Sequence, residues 1–173
     1  MLDKIIKSKT GELIRIEYLV SACGAFISLL IVVLVSQLVL DTHYALILSA
    51  SMGASAVLLF VAPHNDMSQP WPLVGGHIIS ALIGVTCASH IDMLAIAAPL
   101  AAALSIFLMS VFRCVHPPGG AAALIAVVGG KDVHALGYQF VIFPVLVNAL
   151  IMLAATWLIS NFLLQRPYPK TSA

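Results

Sequence analysis

The chain has 173 residues, 61% of them hydrophobic and 9% charged, with a formal net charge of +1 and a mean hydropathy of +1.08. So few polar side chains cannot coat a soluble domain, so the composition excludes a water-soluble globular protein and predicts an integral membrane protein. The near-neutral charge and a pI of about 7.8 argue against a nucleic-acid partner and leave membrane lipid as the surrounding medium.

Residues 1–20 alternate basic and aliphatic residues around Gly11, as a short interfacial helix would, with Ile5, Ile6, Leu13, Ile14 and Ile16 toward lipid. Val20-Ser21-Ala22-Cys23 imitates a lipidation box, but Glu12, Arg15 and Glu17 stand where a signal core belongs, so the first span is read as permanent. Six apolar stretches follow, at 22–40, 44–62, 72–89, 94–112, 116–130 and 137–162. A crossing helix needs about 20 residues, so four of these span comfortably. Ser and Gly interrupt 44–62, and Pro and Gly interrupt 116–130, so the count is four to six. The domain thus covers 21–162, and 163–173 form a tail. Lys4, Lys7, Lys9 and Arg15 precede the first span and Arg166 and Lys170 follow the last, which predicts two cytoplasmic termini, an even number of crossings and residence in a bacterial inner membrane. Trp71, in the irregular link 63–72, suits the headgroup level, and Cys23, Cys87 and Cys114 form no disulfide framework.

Function concentrates at the polar octet Arg113-Cys-Val-His-Pro-Pro-Gly-Gly120. His116-Pro117-Pro118 cannot be helix interior, so a half-helix is expected to begin around Pro118 or Gly119, and its first amides are expected to face the break and attract an anion. Offset by 66 positions, Gly53-Ala-Ser-Ala echoes Gly119-Gly-Ala-Ala, so Ser51, Gly53, Ala54 and Ser55 are expected to form a second broken segment. The all-α bundle then consists of two related halves, as in many transporters. The plainer reading of 51–55 is close helix packing through small residues. Arg113 is a candidate counter-charge for a substrate or a residue that snorkels to the headgroups. His116 and His77 are candidate anion donors or carriers of a cotransported proton, the alternatives being a structural cap and an interfacial end marker. Asn148 and Gln37 either bridge helices or touch the pathway. Gly76, Ser80 and Gly84 form a small-residue stripe expected among the packing surfaces of a homo-oligomer. Cys114-x-His116 is the fragment on which a metal or redox reading would rest, with His64 or His77 completing a site. No carboxylate pair, Ser/His/Asp arrangement or phosphate loop is evident, so neither an enzyme nor a resident cofactor or metal is expected.

Arg113-Cys-Val-His-Pro-Pro-Gly-Gly-Ala-Ala-Ala-Leu, with Gly53-Ala-Ser-Ala-Val-Leu-Leu-Phe, Pro63-His64, Gln69-Pro70-Trp71 and Gly75-Gly76-His77 in this order, resembles the HPP family of integral membrane proteins. The resemblance covers residues 20–162 or so and implies four membrane spans, with 44–62 and 116–130 re-entrant. It makes His116, Pro117 and Pro118 signature positions. Some chloroplast and cyanobacterial members are linked to nitrite transport, which makes a small inorganic anion, nitrite first, the expected substrate of a transporter or channel. A non-transporting assembly or sensor protein is the remaining alternative.

Overall fold

The computed structural model describes the backbone of residues 2–170 and the side chains of 16–170. Among these there are seven α-helices and no strand: α1 Leu2–Ser36, α2 Thr42–Val61, α3 Pro70–His90, α4 Leu94–Val111, α5 Pro117–Val128, α6 Gly130–Leu136 and α7 Val147–Leu158. Wider π-type turns, Val141–Leu146 and Ile159–Leu163, continue α7 at both ends. Five helical segments are long and apolar enough to cross a membrane: Ile16–Ser36, Thr42–Val61, Pro70–His90, Leu94–Val111 and Val141–Leu163. The four spans that the family resemblance implies are thus exceeded by one.

The additional span is α2. The sequence reads 44–62 as broken at Ser51, Gly53 and Ser55, yet the helix runs through them without interruption. Gly and Ser are weak helix formers in water, but in lipid an unpaired amide costs several kcal/mol, so the helix propagates through them. Asp41 starts it by accepting from the His43 N–H at 2.9 Å, and Pro63 follows its end. The second expected break is real. Its helix, α5, has 12 residues, about 18 Å of rise against the roughly 30 Å of hydrocarbon. The two echoing blocks therefore differ in structure, Gly53 lying mid-helix and Gly119 in a first turn, and the two-halves expectation fails on that pair.

Helix α1 runs through Gly11 without a break, so the expected interfacial segment is continuous with the first span. Which way Ile5, Ile6, Leu13 and Ile14 point lies outside the described side chains. Near the other end of the chain, Phe143 leaves helical geometry (φ −132°, ψ 116°) immediately before Pro144, a kink inside the run 137–162 that the apolar pattern does not reveal.

Helix α3 is the hub, packed against α4, α5 and α7. Its stripe Gly76, Ser80, Gly84 is buried in the seam with α5, so those residues pack within the chain and are not available as an oligomer surface. Three apolar clusters fill the bundle, one around Leu48, Ala81, Val133 and Phe140, one around Val32, Met52, Leu73 and Met152, and a smaller one around Cys87, Ala97, Ala101, Ala123 and Val127. The outer faces carry exposed Phe26, Leu34, Leu46, Val57, Ile106, Phe107, Leu150 and Phe162, as a lipid-facing surface requires.

Arg166 pairs with Glu17, and Lys170 pairs with Asp66, so the beginning of the first span, the α2–α3 link and the tail share one end of the bundle. The tail is held mainly by Tyr168, 2% exposed, whose hydroxyl donates to the Ser68 carbonyl at 2.7 Å. Tyr168→Phe is expected to cost about 1 kcal/mol, seen as a lower thermal midpoint in detergent. Burial pushes this phenol up from its ordinary value of 10. The contribution is therefore complete below pH 10 and declines as pH rises through the raised value.

Candidate functional site

The octet builds its site where α4 ends and α5 begins. Arg113 turns the chain with φ 53°, a left-handed conformation that a side chain resists, and Cys114 then donates its N–H to Met109 at 2.9 Å. His116 is extended (φ −136°, ψ 101°), as a residue before proline must be, and helix begins at Pro117. Its ring turns inward and has no surface exposure.

Two imidazoles meet there. The rings of His116 and His77 have centroids 5.0 Å apart, and His77 is likewise fully buried. His116 Nδ1 lies 2.7 Å from the Met67 carbonyl and Nε2 lies 2.9 Å from Ser55 Oγ. His77 Nδ1 lies 2.8 Å from the Leu73 carbonyl one turn back, and Nε2 lies 3.3 Å from Ser51 Oγ. Ser51 Oγ donates to the Pro118 carbonyl at 2.7 Å, and Ser55 Oγ reaches the Ser51 carbonyl at 3.3 Å. The two sequence blocks thus come together through hydroxyls and imidazoles.

They do not come together through amides. The first two positions of α5 are prolines, which have no N–H, and the Gly119 N–H donates to the His116 carbonyl at 2.8 Å. Gly53, Ala54 and Ser55 lie in mid-helix, where amides are consumed by the helix itself. The Gly119 amide of the expected seat is therefore taken, and the two prolines that break the chain remove two of the donors the break was meant to expose.

The remaining candidates separate. Gly119 is wedged against α3, where a Cβ would stand 2.8 Å from the Gly76 carbonyl oxygen, whereas one on Gly120 would meet nothing within 4 Å. Arg113 is exposed and, with Asp66, Met67, Pro72, Ser110 and Val115, lines a surface hollow of about 350 Å³ beside the link that carries the Met67 carbonyl. Asn148 bridges helices: its Nδ2 donates to Ser36 Oγ at 2.8 Å, and its buried Oδ1 has no partner among the described residues. Gln37 Nε2 donates to Thr42 Oγ1 at 3.3 Å across the α1–α2 link. Cys114 is buried beside Gly75, and among the described residues no three His, Cys, Asp or Glu side chains converge as a metal group. The part of Met67 and Ser68, which offer carbonyls to His116 and Tyr168, escaped the sequence reading because backbone acceptors leave no mark in side-chain pattern.

Residues 12–169 match the HPP transmembrane region family. Two transmembrane proteins of Dictyostelium discoideum are similar, one 39% identical over 71% of this chain and 44% of its own length, the other 36% identical over 84% of this chain and 48% of its own. The chain therefore spans a little under half the length of these relatives. No solved structure matches it.

Proposed function

The chain belongs to the HPP transmembrane family, and on that premise we propose that it is a transporter or channel for a small inorganic anion, nitrite first. The observation that carries this reading is the buried pair His77 and His116 with Ser51 and Ser55, four groups with hydrogen-bonding or ionisable atoms placed inside an apolar bundle. Intramembrane ionisable groups are costly and are kept where an ion or proton passes. In this reading Arg113 in its hollow draws the anion to one end of the bundle, and the hydroxyls and imidazoles replace its water inside. The polar cluster thus takes over the part that sequence alone gave to helix amides. Both termini face the cytoplasm by the excess of basic residues near them, and the pairs Glu17 with Arg166 and Asp66 with Lys170 support this by bringing both ends of the bundle's chain to one side, so that the short α5 with α6 completes an even number of passages beside the five long spans. The chain works as a homo-oligomer, being small for a complete pathway.

The test is flux into proteoliposomes, comparing nitrite, nitrate, formate and chloride. Arg113→Gln is expected to lower nitrite uptake about tenfold or more by removing the one cation among the described residues that line the hollow, with the fold intact because the side chain is exposed. Uptake no faster than in protein-free liposomes for all four anions overturns the reading. A non-transporting assembly or sensor protein is then favoured, for which the same buried cluster only locks α5 to α2 and α3.

A further inference from the structure

We infer that His77 and His116 form a single binding site for one proton, and that a proton occupies it together with the transported anion. The first half rests on hydrogen counting alone, and the second rests on the anion reading above.

A carbonyl only accepts, so Nδ1 carries the hydrogen in both rings, toward Leu73 in one and Met67 in the other. In the neutral pair both Nε2 atoms are then acceptors. Ser55 satisfies His116 by donating its single hydroxyl hydrogen at 2.9 Å. Ser51 cannot do the same for His77, because its one hydrogen is spent on the Pro118 carbonyl at 2.7 Å. The His77 Nε2 lone pair therefore faces the Ser51 oxygen across 3.3 Å with no hydrogen between them. One added proton completes the chain: His77 Nε2–H donates to Ser51 Oγ, which still donates to Pro118. The new N–H bond uses the Nε2 lone pair, and the hydronium that supplies the proton leaves as water.

A second proton is opposed by geometry. The ring centroids are 5.0 Å apart, and two imidazolium charges at that separation in a dry interior repel strongly. Among the described residues nothing charged faces the pair to relieve this. From α2 it meets Ser51 and Ser55, from the α2–α3 link the Met67 carbonyl, from α5 the Pro118 carbonyl. Beside His116, a Cβ on Gly76 would meet the Cys114 carbonyl and the Met109 sulfur of α4, and the buried polar side chains of α7, Asn148 and Thr156, are uncharged. Asp66 and Arg113 are exposed at the end of the bundle. A lone imidazolium there lacks a counter-charge that a mobile anion supplies, so proton and anion enter together and carry no net charge across.

Two measurements on the full chain test the two halves. With ¹⁵N-histidine-labelled protein in lipid nanodiscs and sodium nitrite present, His77→Gln and His116→Gln assign the signals. Titration from neutral to acid pH is expected to convert one Nε2, and not both, from acceptor to N–H character. Conversion of both rings in one step, or of neither, overturns the proton site. In proteoliposomes, an inward gradient of about one pH unit is expected to drive roughly tenfold nitrite accumulation, unchanged when the membrane potential is clamped at zero. Uptake that follows the potential and ignores the pH gradient overturns the pairing of proton and anion while leaving transport standing. Absence of uptake under every gradient overturns transport, and with it the pairing, whereas the nitrogen spectra still decide the proton site.

Discussion

Gly84→Ala lowers the thermal midpoint of the protein in detergent by roughly 2 to 10 °C, the effect expected of about 1 to 3 kcal/mol of overpacking in a chain of this size. A methyl there would stand 2.5 Å from the Ala123 carbonyl oxygen and 2.7 Å from the Ala126 Cβ. Neither neighbour yields cheaply, since one is backbone and the other a side chain without rotamers. Helices α3 and α5 must move apart, and this is the most extensive contact between any two helices of the bundle. Gly53→Ala is the matched control. Its methyl would meet nothing within 4 Å, and Gly53 lies inside α2, so the change is expected to raise the midpoint through about 0.5 to 1 kcal/mol of helix propensity. If the two variants shift alike, the seam between α3 and α5 is not as close as described.

The second large effect belongs to His116→Ala. The change leaves the Met67 carbonyl without its donor inside the protein and opens a cavity where a fully buried ring stood. The orphaned carbonyl alone accounts for about 1 to 3 kcal/mol, and anion uptake is expected to fall to background. Ser55 loses a partner too, but its hydroxyl turns to the Ser51 carbonyl, already 3.3 Å away. Hydrogen exchange separates a positional role from a general loss of fold: amides of Asp66–Gln69 are expected to exchange faster in His116→Ala, with those of α1 unchanged. Ser55→Ala keeps the bond from His116 to Met67 and is expected to leave that link at its wild-type exchange rate. Equal protection of the link in all three proteins would refute the tie between ring and loop.

Much of the fold was legible because lipid simplifies the code. Apolar runs gave all the spanning segments, and the two prolines after His116 gave the short helix and its start. What sequence misjudged was the helix through Ser51, Gly53 and Ser55. Its residues suggest a break by aqueous propensity, whereas the bilayer enforces backbone pairing. Sequence singles out Ser51 and Ser55 as part of an amide seat and His77 and His116 as anion donors or proton carriers, but it does not show that these four side chains bond to one another. The prolines that drew attention to the place also removed two of its donors. Tyr168 was invisible as a structural residue, since its partner at Ser68 is a main-chain oxygen 100 positions away.

Met67 and Ser68 are consecutive, and their carbonyls are claimed from opposite directions, one by an imidazole in the interior and the other by a phenol arriving from the C-terminal segment. Two adjoining peptide planes thus connect the periphery to the centre. Displacing Tyr168 loosens the support on which the His116 ring hangs, and swinging that ring tugs on the segment outside. Whatever docks on or modifies residues 165–170 thereby has a mechanical route of two hydrogen bonds to the heart of the bundle.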